Sequence, residues 1–125
     1  MAKAKILIVE DEPLVALEIK ESLERMGYEV PDVLDSGDEV LSSVMRFSPD
    51  LVLMDIHLNS FTDGIDAVQR LRLLNNTPVI YMTAYSNTEI RERAKRTEAE
   101  AYLLKPLSED ELRKQVETVL SKKKA

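Results

Sequence analysis

Five residues of this chain have types and positions that could do chemistry: Glu10, Asp11, Asp55, Thr83 and Lys105. Each stands at the end of a short apolar run. Ile6-Leu7-Ile8-Val9 leads into Glu10-Asp11, Leu51-Val52-Leu53-Met54 into Asp55, Val79-Ile80-Tyr81-Met82 into Thr83, and Ala101-Tyr102-Leu103-Leu104 into Lys105-Pro106. Gathered in one place, three carboxylates repel one another and raise each other's pKa values unless a cation neutralises them. Oxygen ligands with positions left for water and phosphate suit Mg2+, with Mn2+ as the other candidate. Asp55, the central acid, can attack phosphorus to form an acyl phosphate. Thr83 can donate a hydrogen bond to a phosphoryl oxygen, and Lys105 can neutralise another as charge spreads during transfer.

Taken singly, each residue has an ordinary explanation. Asp11 could cap a helix beginning at Glu12-Pro13. Asp63-Gly64 reads as turn or helix-start chemistry. An Asp or Thr closing a strand is commonplace, and Lys-Pro usually marks a turn. The joint pattern carries the reading, and it requires elements that bring the five side chains together.

Those elements are legible as an alternation. The four runs are continuously apolar, as expected of strands covered on both faces of a parallel sheet. A weaker run, Tyr28 to Val33, contains Pro31 and is therefore expected to be an edge strand. Between the runs, apolar residues recur at helical spacing: Val15, Ile19, Leu23 and Met26, then Val40, Leu41, Val44 and Met45. Ile65, Val68, Leu71 and Leu74 make a third stripe, and Leu112, Val116, Val119 and Leu120 a last one. The segment Thr88 to Arg96 also reads as helix, but only Ile90 and Ala94 offer it an apolar face. It is expected to be the most loosely held. The repeated alternation predicts an α/β fold, a doubly wound five-stranded parallel sheet with helices on both faces and right-handed crossovers. Ligands of such sheets bind outside the carboxyl ends of the strands, where strand order reverses. The five polar residues meet there if the first, third, fourth and fifth strands are neighbours. The step from Leu51 to Val79 is longer than the others, and the extra length lies after Asp55.

The 125 residues predict one domain, 1–125, with a core of about residues 5–120 and a basic tail, 121–125. At 44% hydrophobic and 32% charged, the composition is that of a soluble globular protein. The absence of Cys excludes disulfides, a thiol nucleophile and Cys-ligated zinc. A net charge of -6 argues against unspecific nucleic-acid binding. Ile6–Val9 is too short for a signal-peptide core and nothing approaches a membrane span, so a cytoplasmic location is expected. Lys122 to Lys124 suit the negative end of a last helix.

With these residues in view, the chain resembles the receiver domain of two-component response regulators, the CheY-like fold. The resemblance rests on "ILIVEDE", "PDLVLMDI", "DGIDAV", "PVIYMTAY" and "AYLLKP", in order, from about Lys5 to Leu120. It implies strand order 2-1-3-4-5 and makes Asp55 the phosphoacceptor. The phosphoryl group would come from a phosphohistidine on a histidine kinase or histidine phosphotransfer protein. It further implies that Asp11 binds Mg2+ directly, Glu10 through water, and His57 through its backbone carbonyl. Thr83 and Tyr102 would be the switch pair, and Lys105 would precede a cis peptide at Pro106. The output surface would be the last helix, the fifth strand and the helix Thr88–Arg96, acting on a downstream target or effector domain, with a homodimer through the last two helices as one form of output. The basic residues Arg91, Arg93, Lys95 and Arg96 of that helix are expected to be a solvated face.

The chain departs from the family pattern in two places. Most receivers have a proline soon after the phosphoacceptor and reach Asp-Gly one residue sooner; here Leu58-Asn59-Ser60-Phe61-Thr62 fills the loop. Glycine is frequent at the end of the fourth helix, where this chain has Glu98. A left-handed cap is strained for Glu, so the helix is expected to end differently. His57 and Tyr85, each two residues beyond a site residue, are candidates for tuning how fast water removes the phosphoryl group.

Three other functions fit parts of the pattern. An aspartate-nucleophile, Mg2+-dependent phosphohydrolase of the haloacid-dehalogenase kind needs a second acid where this chain has His57. A flavodoxin-like FMN carrier needs a phosphate loop where Glu10-Asp11-Glu12 would repel phosphate. A receiver-shaped interaction module that signals without phosphorylation has no need of the full site. The favoured reading is a switch that catalyses its own phosphorylation and dephosphorylation and is not an enzyme towards other substrates.

Overall fold

A computed structural model describes residues 3–58, 63–84 and 87–124. Strands and helices alternate from end to end: β1 (Ile6–Val9), α1 (Pro13–Arg25), β2 (Val33–Leu34), α2 (Val40–Phe47), β3 (Leu51–Asp55), α3 (Gly64–Arg72), β4 (Val79–Thr83), α4 (Thr88–Arg96), β5 (Ala101–Leu104) and α5 (Glu109–Lys124). The strands form one parallel sheet in the order β2-β1-β3-β4-β5.

The period-two direction of strand side chains divides the core into two layers. Leu7, Val9, Val52, Met54, Val79 and Tyr81 pack with residues of α2 and α3 on one face. Ile6, Ile8, Leu51, Leu53, Ile80 and Met82 pack with residues of α1 and α5 on the other. Because both faces are covered, β1, β3 and β4 are buried along their whole length, which explains their unbroken apolar runs.

Anchoring differs greatly between the last two helices. In α5, Leu112, Val116, Val119 and Leu120 are all buried. Each such side chain contributes about 1.5–3 kcal/mol. In α4 the buried residue is Ala94, with Ile90 partly covered.

Several expectations need correction. The run Tyr28 to Val33 is not a strand along its length. Glu29 forms an isolated bridge to Lys5, and paired strand begins only at Val33. Pro31 interrupts the ladder, and the strand is at an edge as predicted. The fifth run is not covered on both faces, because β5 is the other edge: Leu103 is buried while Leu104 is 50% exposed. Met45 and Leu74 do not join the apolar faces of their helices, each being 63% exposed. Leu74 lies beyond the end of α3, where the chain has left the helical register. As expected, by contrast, Lys122 to Lys124 lie at the C-terminal end of the last helix, α5 continuing through Lys124.

Glu98 also overturns its expectation: it does adopt the left-handed conformation, at φ 59°. The preceding residue makes this tolerable. Thr97, buried at the end of α4, shares a hydrogen bond with the Tyr81 hydroxyl at 2.7 Å and donates another to the Ala94 carbonyl at 2.6 Å. Its own carbonyl accepts from Arg72 Nε at 2.9 Å. With Thr97 fixed on three sides, the chain turns at Glu98 regardless of side-chain preference. A left-handed non-glycine residue costs about 1 kcal/mol. Glu98→Gly is therefore expected to raise the unfolding free energy by about 0.5–1 kcal/mol, part of the gain being lost to glycine's freedom in the unfolded chain. Denaturant titration at neutral pH checks this; a lower midpoint would contradict the strain.

Candidate functional site at the carboxyl edge of the sheet

Sheet register brings the predicted residues to one edge. Val9 lies beside Met54 and Asp55 beside Met82, so Glu10 and Asp55 emerge from neighbouring strand ends. Thr83 closes β4 and pairs with Leu104, the residue before Lys105. Backbone bonds fix these ends: Glu10 N donates to the Leu34 carbonyl at 2.9 Å, Ile56 N to Met82 at 3.0 Å, and Lys105 N to Thr83 at 2.8 Å. The Lys105–Pro106 peptide is cis.

Glu10, Asp55 and Thr83 are buried, and Asp11 and Lys105 are half-buried at the rim. Lys105 Nζ lies 2.5 Å from Glu10 Oε1 and 3.2 Å from Asp55 Oδ2, bridging the two acids. The other Asp55 oxygen accepts the His57 amide at 3.0 Å, and Glu10 Oε2 accepts the Glu12 amide at 3.2 Å. The His57 side chain is exposed. Glu10, Asp11 and Asp55 each present a carboxylate oxygen, all within 4.8 Å of one another, and among the described residues they form the group able to hold a metal ion.

One ammonium does not balance this charge. Burial first, and the hydrogen bond with Asp55 next, push the Glu10 carboxyl up to about 7 despite its contact with Lys105. The Lys105 ammonium is held above its ordinary range by Glu10 and Asp55, which outweigh its own burial. A buried acid half-protonated near neutrality marks a site short of positive charge. The all-oxygen donors and the deficit of charge both fit a hard divalent cation such as Mg2+.

Tyr102 lies opposite Tyr81, two positions before Leu104, so Tyr102 and Thr83 share a face of the sheet. Its ring is half-buried, with the Arg91 guanidinium 5.2 Å from the ring centre. Tyr85 and loop residues 59–62 lie outside the described residues.

Two functional neighbours were not legible as such in the sequence. Gly64 starts α3 directly against the end of β3: its amide donates to the Ile56 carbonyl at 2.9 Å, and an added Cβ would lie 2.1 Å from the Asp55 carbonyl oxygen. Asp63 is the helix-start residue expected, its Oδ1 accepting the Asp66 amide at 2.8 Å. Its other oxygen, however, binds Arg93 of α4 at 3.2 Å, and Arg93 also reaches Asp66 at 3.3 Å. The basic face of α4 is thus not merely solvated.

Residues 6–117 match the family model of the response regulator receiver domain, and the chain belongs to that family. The carboxylate-rich sheet edge and the strand order are those of the CheY-like receivers of two-component signalling. Among relatives, it is 35% identical to the transcriptional regulatory protein PdtaR of Mycobacterium tuberculosis, over 94% of this chain and 57% of that protein. It is 32% identical to the sporulation initiation phosphotransferase F of Bacillus subtilis, over 96% of both chains. The chain thus spans little more than half of the first relative and nearly all of the second. Among solved structures, the receiver domain of a modulated diguanylate cyclase from Desulfovibrio desulfuricans superposes with a TM-score of 0.91 at 36% identity, covering 98% of each chain. Among the described residues, no helix is long and apolar enough to cross a membrane.

Proposed function

We propose that this receiver is a phosphoacceptor switch in which Asp55 takes a phosphoryl group from the phosphohistidine of a histidine kinase or histidine phosphotransfer protein. The observation that carries the reading is a buried Asp55 at the end of β3 with Lys105 Nζ 3.2 Å from its carboxylate. An Asp55 oxygen attacks phosphorus, the phosphorus–nitrogen bond to the donor imidazole breaks, and the electron pair leaves with that nitrogen. Lys105 exchanges part of its contact with Glu10 for a phosphoryl oxygen, and the Thr83 hydroxyl donates to another. Glu10, Asp11, Asp55 and the His57 carbonyl would hold Mg2+, or Mn2+. When bound, the cation offsets the repulsion between these carboxylates and the phosphoryl oxygens. Water later attacks phosphorus, the bond from phosphorus to the Asp55 oxygen breaks, and inorganic phosphate leaves as the carboxylate is restored. His57 and Tyr85 are positioned in sequence to influence that step.

The phosphoryl group is the signal, and the output runs through Thr83 and Tyr102 to α4, β5 and α5, where a downstream target, an effector domain or a second copy docks. The chain acts on its own carboxylate and turns over no separate substrate. A small acyl-phosphate donor tests this: the intact mass is expected to rise by one phosphoryl group with Mg2+ and to stay unchanged with a chelator. An adduct indifferent to the metal, or none at all, would overturn the reading.

A further inference from the structure

Arg93 joins the weakly anchored α4 to the backbone that carries Asp55, and it does so through side chains already committed elsewhere. Asp63 divides its two oxygens between the Asp66 amide and Arg93. Asp66, one turn into α3, takes the same Arg93 nitrogen. The start of α3 is in turn fixed to β3, because Gly64 bonds to Ile56 and abuts the Asp55 carbonyl with no room for a side chain. A continuous physical connection therefore runs from Asp55 through Gly64 and Asp63 to Arg93.

The two parts of α4 are held by different forces. Its C-terminal end is pinned by buried and part-buried hydrogen bonds at Thr97: its hydroxyl meets Tyr81 at 2.7 Å, and its carbonyl accepts from Arg72 at 2.9 Å, Arg72 being itself held by the Thr77 carbonyl at 2.7 Å. Its middle is held by the half-exposed ion pairs of Arg93, and beyond Ala94 little apolar burial supports it. Ion pairs of this exposure are weak enough to break reversibly. A helix pinned at one end and lightly tied in the middle has less to break in pivoting than in sliding.

We propose that Arg93 is a latch that holds α4 against the start of α3 in the resting state, with Thr97 as the pivot. Release of the latch is part of the response to charge at Asp55. The coupling half of the proposal rests on the phosphoacceptor reading above; the latch itself does not. A contact that favours the resting state opposes whatever stabilises the switched one, so its loss raises phosphoryl occupancy at limiting donor.

The test uses the full chain with Arg93→Met, which keeps the stem and removes the charge, and Arg93→Lys as the charge-retaining control. Amide hydrogen exchange is expected to quicken about fivefold over Ile90–Ala94 in Arg93→Met, a scale set by the worth of a half-exposed ion pair. It is expected to stay unchanged at Thr97, Glu98 and throughout β4. Arg93→Lys should recover most of the protection. Phosphoryl occupancy at sub-saturating acyl-phosphate donor is expected to rise in Arg93→Met by a similar factor. Unchanged α4 exchange would overturn the latch, and acceleration that includes Thr97 would overturn the pivot. Faster α4 exchange with wild-type occupancy would overturn the coupling. If wild type itself takes no phosphoryl group, the phosphoacceptor reading fails, while the exchange arm still decides the latch.

Discussion

Lys105→Met is expected to accept a phosphoryl group about 10²–10³-fold more slowly than wild type, the usual cost of removing one preorganised group from developing charge. Lys105 is the cation that bridges Glu10 and Asp55, its ammonium 3.2 Å from the Asp55 carboxylate proposed to attack phosphorus. Methionine keeps the length and removes the charge, so packing beside Pro106 is preserved. Removing one partner of a buried ion pair is ordinarily severe. Here the penalty is relieved, because Glu10 already titrates at about 7 and takes up a proton when the lysine is gone. The loss of stability is expected to be on the order of 1 kcal/mol at neutral pH, far too small to explain the loss of rate. Lys105→Arg keeps the charge but spreads it over a planar fork, and should recover only part of the activity. Time courses with a small acyl-phosphate donor at saturating Mg2+ check this. A Lys105→Met rate within about threefold of wild type would contradict the role, as that is smaller than the effect of one positioned donor.

The second large effect is on stability against pH. A carboxyl whose pKa is raised on folding contributes stability that is complete below its unfolded value and lost as pH rises through the folded one. Glu10 rises from 4.5 to about 7, so the chelated protein is expected to weaken between about pH 5 and pH 8. The loss should be on the order of 2 kcal/mol. Lys105 does not compensate in this window, because its raised pKa acts only at alkaline pH. Glu109, lowered by its exposed pair with Arg25, acts below it. Added Mg2+ should oppose the fall and do so more strongly at higher pH, since it competes with protons for the same oxygens. In Glu10→Gln the pH slope should disappear, and with it the growth of the Mg2+ effect at higher pH. Denaturant titrations at several pH values, with chelator and with Mg2+, measure this. Chelated wild-type protein that gains stability from pH 5 to pH 8 would contradict it.

These effects arise at residues whose gathering was legible in the sequence, and the reason is geometric. In a doubly wound sheet, strand order and direction settle which chain ends are neighbours. Residues that follow β1, β3, β4 and β5 had to share an edge once those runs were recognised. Legibility failed where position depends on a particular tertiary partner. Glu98 was expected to avoid the left-handed conformation, yet the buried hydrogen bonds of Thr97 outweigh its local preference. Tyr28 to Val33 has the composition of a strand, but Pro31 and an edge position reduce the pairing to Val33–Leu34 and one bridge. Leu74 and Met45 fit a helical stripe in spacing and still face outward. Arg93 could not be singled out from Arg91, Lys95 and Arg96, because its partners lie about thirty positions earlier, at the far end of a different helix.

The most direct measurement is chemical trapping of the phosphorylated carboxylate. Hydride reduction of an acyl phosphate converts that side chain to the alcohol, and peptide sequencing then identifies the residue. After exposure to an acyl-phosphate donor and Mg2+, reduction is expected to mark position 55 in wild type and nothing in Asp55→Asn. Recovery of the mark at another acid in wild type, or a phosphoryl adduct with an unaltered Asp55, would contradict the assignment of Asp55 as the phosphoacceptor.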